Sequence, residues 1–108
     1  MRIRIGTFGV DSGQVLIGDP CYLRDFKNDE YDGEPDINQI GEFSYSGSCN
    51  TTMQIEAAGT LTGPFGNDAA VVASTGYGDG VYEVFATYTD DIPANIAKLE
   101  IIFIGESD

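Results

Sequence analysis

Carboxylates are the side chains of this sequence best equipped for chemistry, and they gather in one stretch. Asp29, Glu30, Asp32, Glu34 and Asp36 fall within a few residues of one another, with Tyr31 among them. The run Asn28-x-Glu30-x-Asp32-Gly33-x-Pro35-x-x-x-Gln39 sets oxygen-bearing side chains at alternate positions and a glycine at the sharp turn, as an EF-hand calcium loop does. Three positions depart from that pattern. The first is Asn28, the eighth is Pro35, and the twelfth is Gln39 where a bidentate glutamate belongs. No amphipathic helix flanks the run on either side. A solvated or protein-docking loop is therefore the leading expectation, with calcium as the one alternative to having no cofactor. A tyrosine beside carboxylates is interface chemistry, which makes Asp29, Glu30, Tyr31, Asp32, Glu34 and Asp36 the candidate partner-binding set.

A second constellation surrounds Gly76-Tyr77-Gly78-Asp79-Gly80. Glycines free the backbone to take positive φ and to approach a ligand closely, and loops of this kind cradle phosphates with their amides. Phosphate loops open helices, however, and this one opens a strand. A structural turn stands beside the ligand reading. If the turn binds something, Asp11, Asp19, Tyr77 and Asp79 would cluster with it in one pocket.

Other chemistry is excluded more firmly. The chain holds no histidine, so neither a Ser-His-Asp nor a Cys-His nucleophile can be assembled. Among 18 acidic residues some pair will sit at glycosidase spacing by chance, so paired carboxylates carry no specificity. Cys21 and Cys49 form no C-x-x-C pair and are expected to be reduced and buried. The expectation is a protein that is not an enzyme.

The formal charge of −13, from 18 acidic against 5 basic residues, repels nucleic acid and anionic membranes. It suits a basic protein surface, it can hold cations, or it serves solubility alone. Met1 is followed by Arg2-Ile3-Arg4-Ile5 and no leader-like apolar stretch, and the run Ile101-Ile102-Phe103-Ile104 is too short to span a bilayer. A soluble, cytoplasmic protein is expected.

The 108 residues suit one β-rich domain over 1–108. Runs of Val, Ile, Tyr, Phe and Thr broken by 14 glycines are strand and turn vocabulary. Alternation over residues 2–8 and the run 14–18, joined by Asp11-Ser12-Gly13, predict an N-terminal hairpin. Asp19 before Pro20 predicts an N-cap and one helical turn over 21–24. The polar stretch 25–42 reads as a long exposed loop. A short strand follows at Phe43 to Tyr45, then a short helix over 50–57 and a loop over 60–67. Strands at Ala69 to Ser74, Val81 to Thr89 and Ile96 to Ile104 predict an antiparallel meander. Tyr82, Val84, Ala86 and Tyr88 share one face of the middle strand. Ala97, Leu99, Ile101 and Phe103 face inward on the last one, with Lys98 and Glu100 outward. The fold class is mainly β: an antiparallel sandwich or open barrel of about 6–8 strands with one or two short helices.

Val10 through Leu23, Phe43 through Cys49, Gly76 through Val84 and Ile96 through Phe103 together resemble small uncharacterised β-rich proteins of bacteriophages and bacteria, related to a domain family of unknown function. Asp19-Pro20-Cys21-Tyr22 and Gly78-Asp79-Gly80-x-Tyr82 are the most specific segments. The resemblance covers most of the chain outside the acidic loop. It implies a β-rich fold and a viral or bacterial origin, and it places Asp11, Asp19, Cys21, Cys49, Gly78, Asp79 and Gly80 in shared motifs without an activity. The expectation is then a phage-encoded binding protein in the host cytoplasm. Its acidic surface would engage a basic host protein, as an inhibitor of defence or DNA-handling machinery that mimics nucleic acid. A small-ligand or divalent-cation β module is one alternative. A virion structural or assembly protein, predicting a homo-oligomer, is the other.

Overall fold

The computed structural model describes residues 1–54 and 56–105. Among these residues the chain is mainly β, with six strands in two three-stranded antiparallel sheets, one α-helix and two 3₁₀ turns. It divides into two compact units, Met1–Gly13 with Thr75–Asp108, and Gln14–Ser74.

The first unit holds β1 (Arg2–Val10), β5 (Gly80–Tyr88) and β6 (Ile96–Ile102), in the order β1-β5-β6. Val10, Tyr82 and Ala86 are buried. The Tyr82 ring meets Phe8 at 6.1 Å and Phe103 edge-on at 5.6 Å, a favourable aromatic geometry. β5 lies in the middle, and its Tyr82 and Ala86 carry the packed face.

The second unit holds β2 (Gln14–Gly18), β3 (Ala58–Thr62) and β4 (Asp68–Ser74), ordered β2-β4-β3, with helix α1 (Tyr45–Gln54) and 3₁₀ turns at Pro20–Asp25 and Ile37–Gln39. Its core is Phe43, Leu61, Ala69, Ala70 and Val72, with Tyr22 and Phe26 packed against it. Phe26 meets Phe43 edge-on at 5.1 Å.

Several expectations change. The segments 2–8 and 14–18 are strands but not a hairpin: β1 pairs with β5, and β2 with β4. The Gly13 carbonyl accepts the Thr75 amide at 3.0 Å, so the Asp11–Gly13 turn is tied to the β4–β5 link instead of folding β2 back on β1. For the same reason β4 and β5 lie in different sheets, and of the expected meander only the β5–β6 pair forms. The loop placed at 60–67 begins as β3, with Leu61 fully buried; the turn itself is Gly63 to Asn67, closed by the Gly63 amide on the Asn67 carbonyl. Phe43 to Tyr45 forms no strand: Ser44 makes one isolated bridge, to Lys27, and Tyr45 opens the helix. Leu99 was expected to face inward and is 59% exposed, because β6 is an edge strand of a narrow sheet.

The helix also shifts, from 50–57 to Tyr45–Gln54; the expectation at Ile55 lies outside the described residues. Ser44 is the N-cap. Its Oγ accepts the Gly47 amide at 2.8 Å and its carbonyl accepts the Ser48 amide at 2.8 Å. Ser46 through Thr51 are all buried, so the helix is enclosed although its sequence carries no apolar stripe. It fits because it is thin. A Cβ built on Gly47 would lie 2.0 Å from the Glu42 carbonyl oxygen, which is backbone and cannot yield cheaply. Gly47→Ala should therefore destabilise the protein by about 3 kcal/mol, at the upper end of overpacking costs, as read from denaturant midpoints. A change below about 0.5 kcal/mol, the range of neutral surface substitutions, would show that α1 does not sit this close to Glu42.

Candidate functional site

The acidic stretch is held to α1 by its own side chains. Asp29 reaches the first turn of the helix: Oδ1 accepts the Ser46 amide at 2.9 Å and Oδ2 accepts the Ser46 hydroxyl at 2.6 Å. Together with Ser44 it satisfies two of the amides that a helix start leaves unpaired, and its charge opposes the positive end of the helix dipole. These hydrogen bonds hold the Asp29 carboxyl below the usual aspartate range, against a smaller opposing effect of desolvation.

The other end of the stretch is fixed at Asp36. Its amide donates to Asn50 Oδ1 at 2.8 Å, and its carboxylate caps the Ile37–Gln39 turn through the Asn38 amide at 2.9 Å. Asn50 is fully buried. Its Nδ2 donates to Gln39 Oε1 at 3.1 Å and to the Ser46 carbonyl at 2.8 Å, and Oδ1 also accepts from Gln54 Nε2 at 2.7 Å. Both donors and both lone pairs are used. At the next residue, Thr51 Oγ1 accepts the Gly41 amide at 2.8 Å.

The six residues proposed from sequence for partner binding thus separate. Glu30, Asp32 and Glu34 are exposed; Asp32 also folds the turn by accepting the Glu34 amide at 2.9 Å. Asp29 and Asp36 are half-buried and serve as caps. Tyr31 is half-buried, and its hydroxyl is buried without a hydrogen-bond partner among the described residues.

The ligand-binding set is divided between the two units. Asp19 lies in the second unit, where its Oδ1 accepts the Cys21 amide at 3.0 Å as N-cap of the 3₁₀ turn, with Pro20 following. It borders a hollow of about 300 Å³ together with Tyr22 and Asp68. Asp11, Tyr77 and Asp79 lie in the first unit, where Val10 opposes Gly80 across the β1–β5 ladder and brings Asp11 and Asp79 to the same end of the sheet. All three are exposed.

The glycine turn has a structural explanation of its own. Gly76, Gly78 and Gly80 take φ of +63°, +97° and +156°, values that other residues adopt only under strain. The Tyr82 hydroxyl lies 2.8 Å from the Thr75 carbonyl oxygen and 2.5 Å from that of Gly78, and Thr75 Oγ1 donates to the same Gly78 carbonyl at 2.7 Å. Gly-Asp-Gly-x-Tyr thus reads as a turn and the tyrosine that fastens it.

No three Cys, Asp or Glu side chains among the described residues gather closely enough to hold a metal ion. Cys49 is buried as expected, whereas Cys21 is exposed, on the outer side of the 3₁₀ turn. Partial desolvation, then the hydrogen bond and charge of Asp19, push the Cys21 thiol up. It is therefore a poorer nucleophile than an ordinary cysteine. No helix among the described residues is long and apolar enough to cross a membrane.

Sequence reasoning missed Asn50, Ser46 and Thr51 as the anchors of the loop. The available signal was the run Ser44 to Thr52, rich in residues that bond backbone groups, but such a run says nothing about which distant segment it will hold.

The family described as protein of unknown function (DUF4241) matches residues 4–99, and the chain belongs to it. No curated protein and no solved structure matches the chain.

Two tyrosines should answer the same deletion in opposite ways. Tyr82→Phe should lower stability by about 1–2 kcal/mol, since the buried hydroxyl's hydrogen bond to the turn carbonyls is lost. Tyr31→Phe should leave stability unchanged or raise it, since no bond is lost. Equal losses in chemical denaturation would contradict these assignments. Asp29→Ala should cost about 1–2 kcal/mol, as the loss of an N-cap does. Because the folded-state pKa of Asp29 is depressed, its contribution is fully present above the usual aspartate value of 3.8 and disappears as pH falls through the lower folded value. The stability gap between parent and Asp29→Ala should therefore be flat near neutrality and close in acid. A gap that persists unchanged into strong acid would refute the carboxylate's role.

Proposed function

We propose that this DUF4241 protein is a non-enzymatic binding protein whose clamped acidic segment, Glu30 to Glu34, docks on a basic surface of another protein. One observation supports this reading above the others: the segment is pinned at Asp29 by Ser46 and at Asp36 by Asn50, while the three carboxylates between the pins are exposed. A floating acidic loop loses conformational entropy when it binds. A loop already held by its own protein loses less, so more of each contact appears as affinity. Carboxylates at fixed spacing are also the arrangement that imitates a phosphate backbone. This favours a partner built to hold nucleic acid, and by extension a phage protein that blocks a host DNA-handling or defence protein in the cytoplasm.

The alternative is that the charge of −13 acts only in bulk, and two triple variants separate these cases. One neutralises the loop, Glu30→Gln with Asp32→Asn and Glu34→Gln. The other neutralises three exposed carboxylates of the first unit, Glu83→Gln with Asp90→Asn and Asp91→Asn. Each removes three charges from the same total. Titrated against an arginine-rich peptide at several salt concentrations, the loop variant should bind about tenfold more weakly than the control variant, and the parent's affinity should fall as salt rises. Equal affinities for the two variants would overturn the proposal.

A further inference from the structure

The first unit ends in an open sheet edge whose sequence is complementary to itself. β6 pairs only with β5, and its other side is unpaired among the described residues. Such an edge offers a row of backbone donors and acceptors to any extended chain. Which groups it offers follows from the ladder. Met1 and Tyr88 exchange both backbone hydrogen bonds, at 3.1 and 2.8 Å, so Tyr88 and, by alternation, Ala86 turn their amides toward β1. Thr87 and Phe85 then face β6, opposite Lys98 and Glu100. The backbone groups of Lys98 and Glu100 are used inside the sheet. Those of Leu99 and Ile101 point out from the free edge.

We infer that this edge joins a second copy of the same chain, β6 against β6, antiparallel about a two-fold axis through Leu99. In that register Leu99 exchanges both backbone bonds with its symmetry mate. Lys98 stands opposite Glu100 of the other copy on one face, and Glu100 opposite Lys98, giving two cross-strand ion pairs. Both Glu100 contacts inside the chain, Arg2 Nε at 2.9 Å and Lys98 Nζ at 3.9 Å, go to Oε1, and Lys98 is largely exposed. On the other face the two Leu99 side chains meet. Leu99 is 59% exposed in the single chain, and Ile96 on the same strand is 54% exposed. These are large apolar side chains that a second copy would cover.

Charge selects this register over its neighbours. Centring on Lys98 sets lysine against lysine, centring on Glu100 sets glutamate against glutamate, and centring on Ile101 leaves both charges opposite apolar residues. The opposite edge of the sheet, β1, is protected by the same logic. Self-pairing about Ile3 would set Arg2 against Arg4, and the ladder is irregular between Arg4 and Gly6. Pairing of β6 with β1 would be heterologous and would grow without closing. β6 against β6 closes at two copies and produces one six-stranded sheet.

Sedimentation equilibrium at chain concentrations of about 100 μM, where even a weak pair is populated, gives the test. The parent should run at twice its chain mass. K98E and E100K should each run at half that value, because each places like charges across the axis. Their equimolar mixture should return to the dimer mass, since K98E opposite E100K restores both ion pairs. Leu99→Pro removes only an outward amide, so the chain should keep its fold by circular dichroism and run as a monomer. A parent that stays monomeric, a mass that keeps rising past two copies, single charge variants that remain dimeric, or a mixture that stays monomeric would each overturn the inference.

Discussion

The acidic stretch of the second unit is held by one buried amide. Asn50 has no solvent exposure, and a buried amide with open valences costs a few kcal/mol. All four of its positions are filled, two from its own helix and two from the stretch 36–39. A satisfied buried polar group is specific in a way that apolar packing is not, because it accepts one arrangement of its partners. That requirement explains why α1 is built of Ser, Gly, Thr and Asn. The helix is enclosed on most sides: Gly47 lets the Glu42 backbone close on it, and Gly59 of β3 leaves room for Thr51. The acidic stretch follows from the helix: Asp29 covers its start, and Asp36 is held by its middle.

The same network sorts the acidic charge. The Asp29 carboxylate is met by an amide and a hydroxyl of α1 and the Asp36 carboxylate by the Asn38 amide, and the carboxylates between these anchors are left to the solvent. Repulsion among Glu30, Asp32 and Glu34 would spread a free loop. Here it is opposed by the two anchors, so part of the cost of gathering negative charge is met by folding and not by binding. In the first unit charge has a different use. Arg2 lies over the Phe85 ring at 3.9 Å and bonds Glu100, which leaves β6 an ordered alternation of lysine, leucine and glutamate along its open side.

The sequence made the strands legible where alternation was strong. A strand forms in each of the segments 2–8, 14–18, 69–74, 81–89 and 96–104, the last two ending at Tyr88 and Ile102, because period-two burial is local information. Pairing was not legible. Whether Gly13 turns the chain back or sends it into another sheet depends on Thr75, about sixty residues away, and no local rule contains that contact. β3 was hidden because Leu61 is its one large apolar residue and glycines flank it. Helix α1 was placed too late because its buried face is polar, and helical periodicity is sought in apolar residues. The acidic loop was legible as a loop and as the peak of the charge. That Asp29 and Asp36 cap helical turns was not legible, since a capping carboxylate and a docking carboxylate look alike until the turn they cap is known. The glycine segment was legible as a turn but not as one that joins different sheets instead of closing a hairpin, and Tyr82 fastens it.

Amide hydrogen exchange resolved by residue is the most direct measurement of whether the acidic stretch is held. The Ser46 amide on Asp29, the Asp36 amide on Asn50 and the Gly41 amide on Thr51 should be protected together with the amides of β4, because opening any of them requires the stretch and α1 to part. Exchange at these three positions at the rate of an unstructured peptide, with β4 still protected, would contradict a loop clamped to the helix.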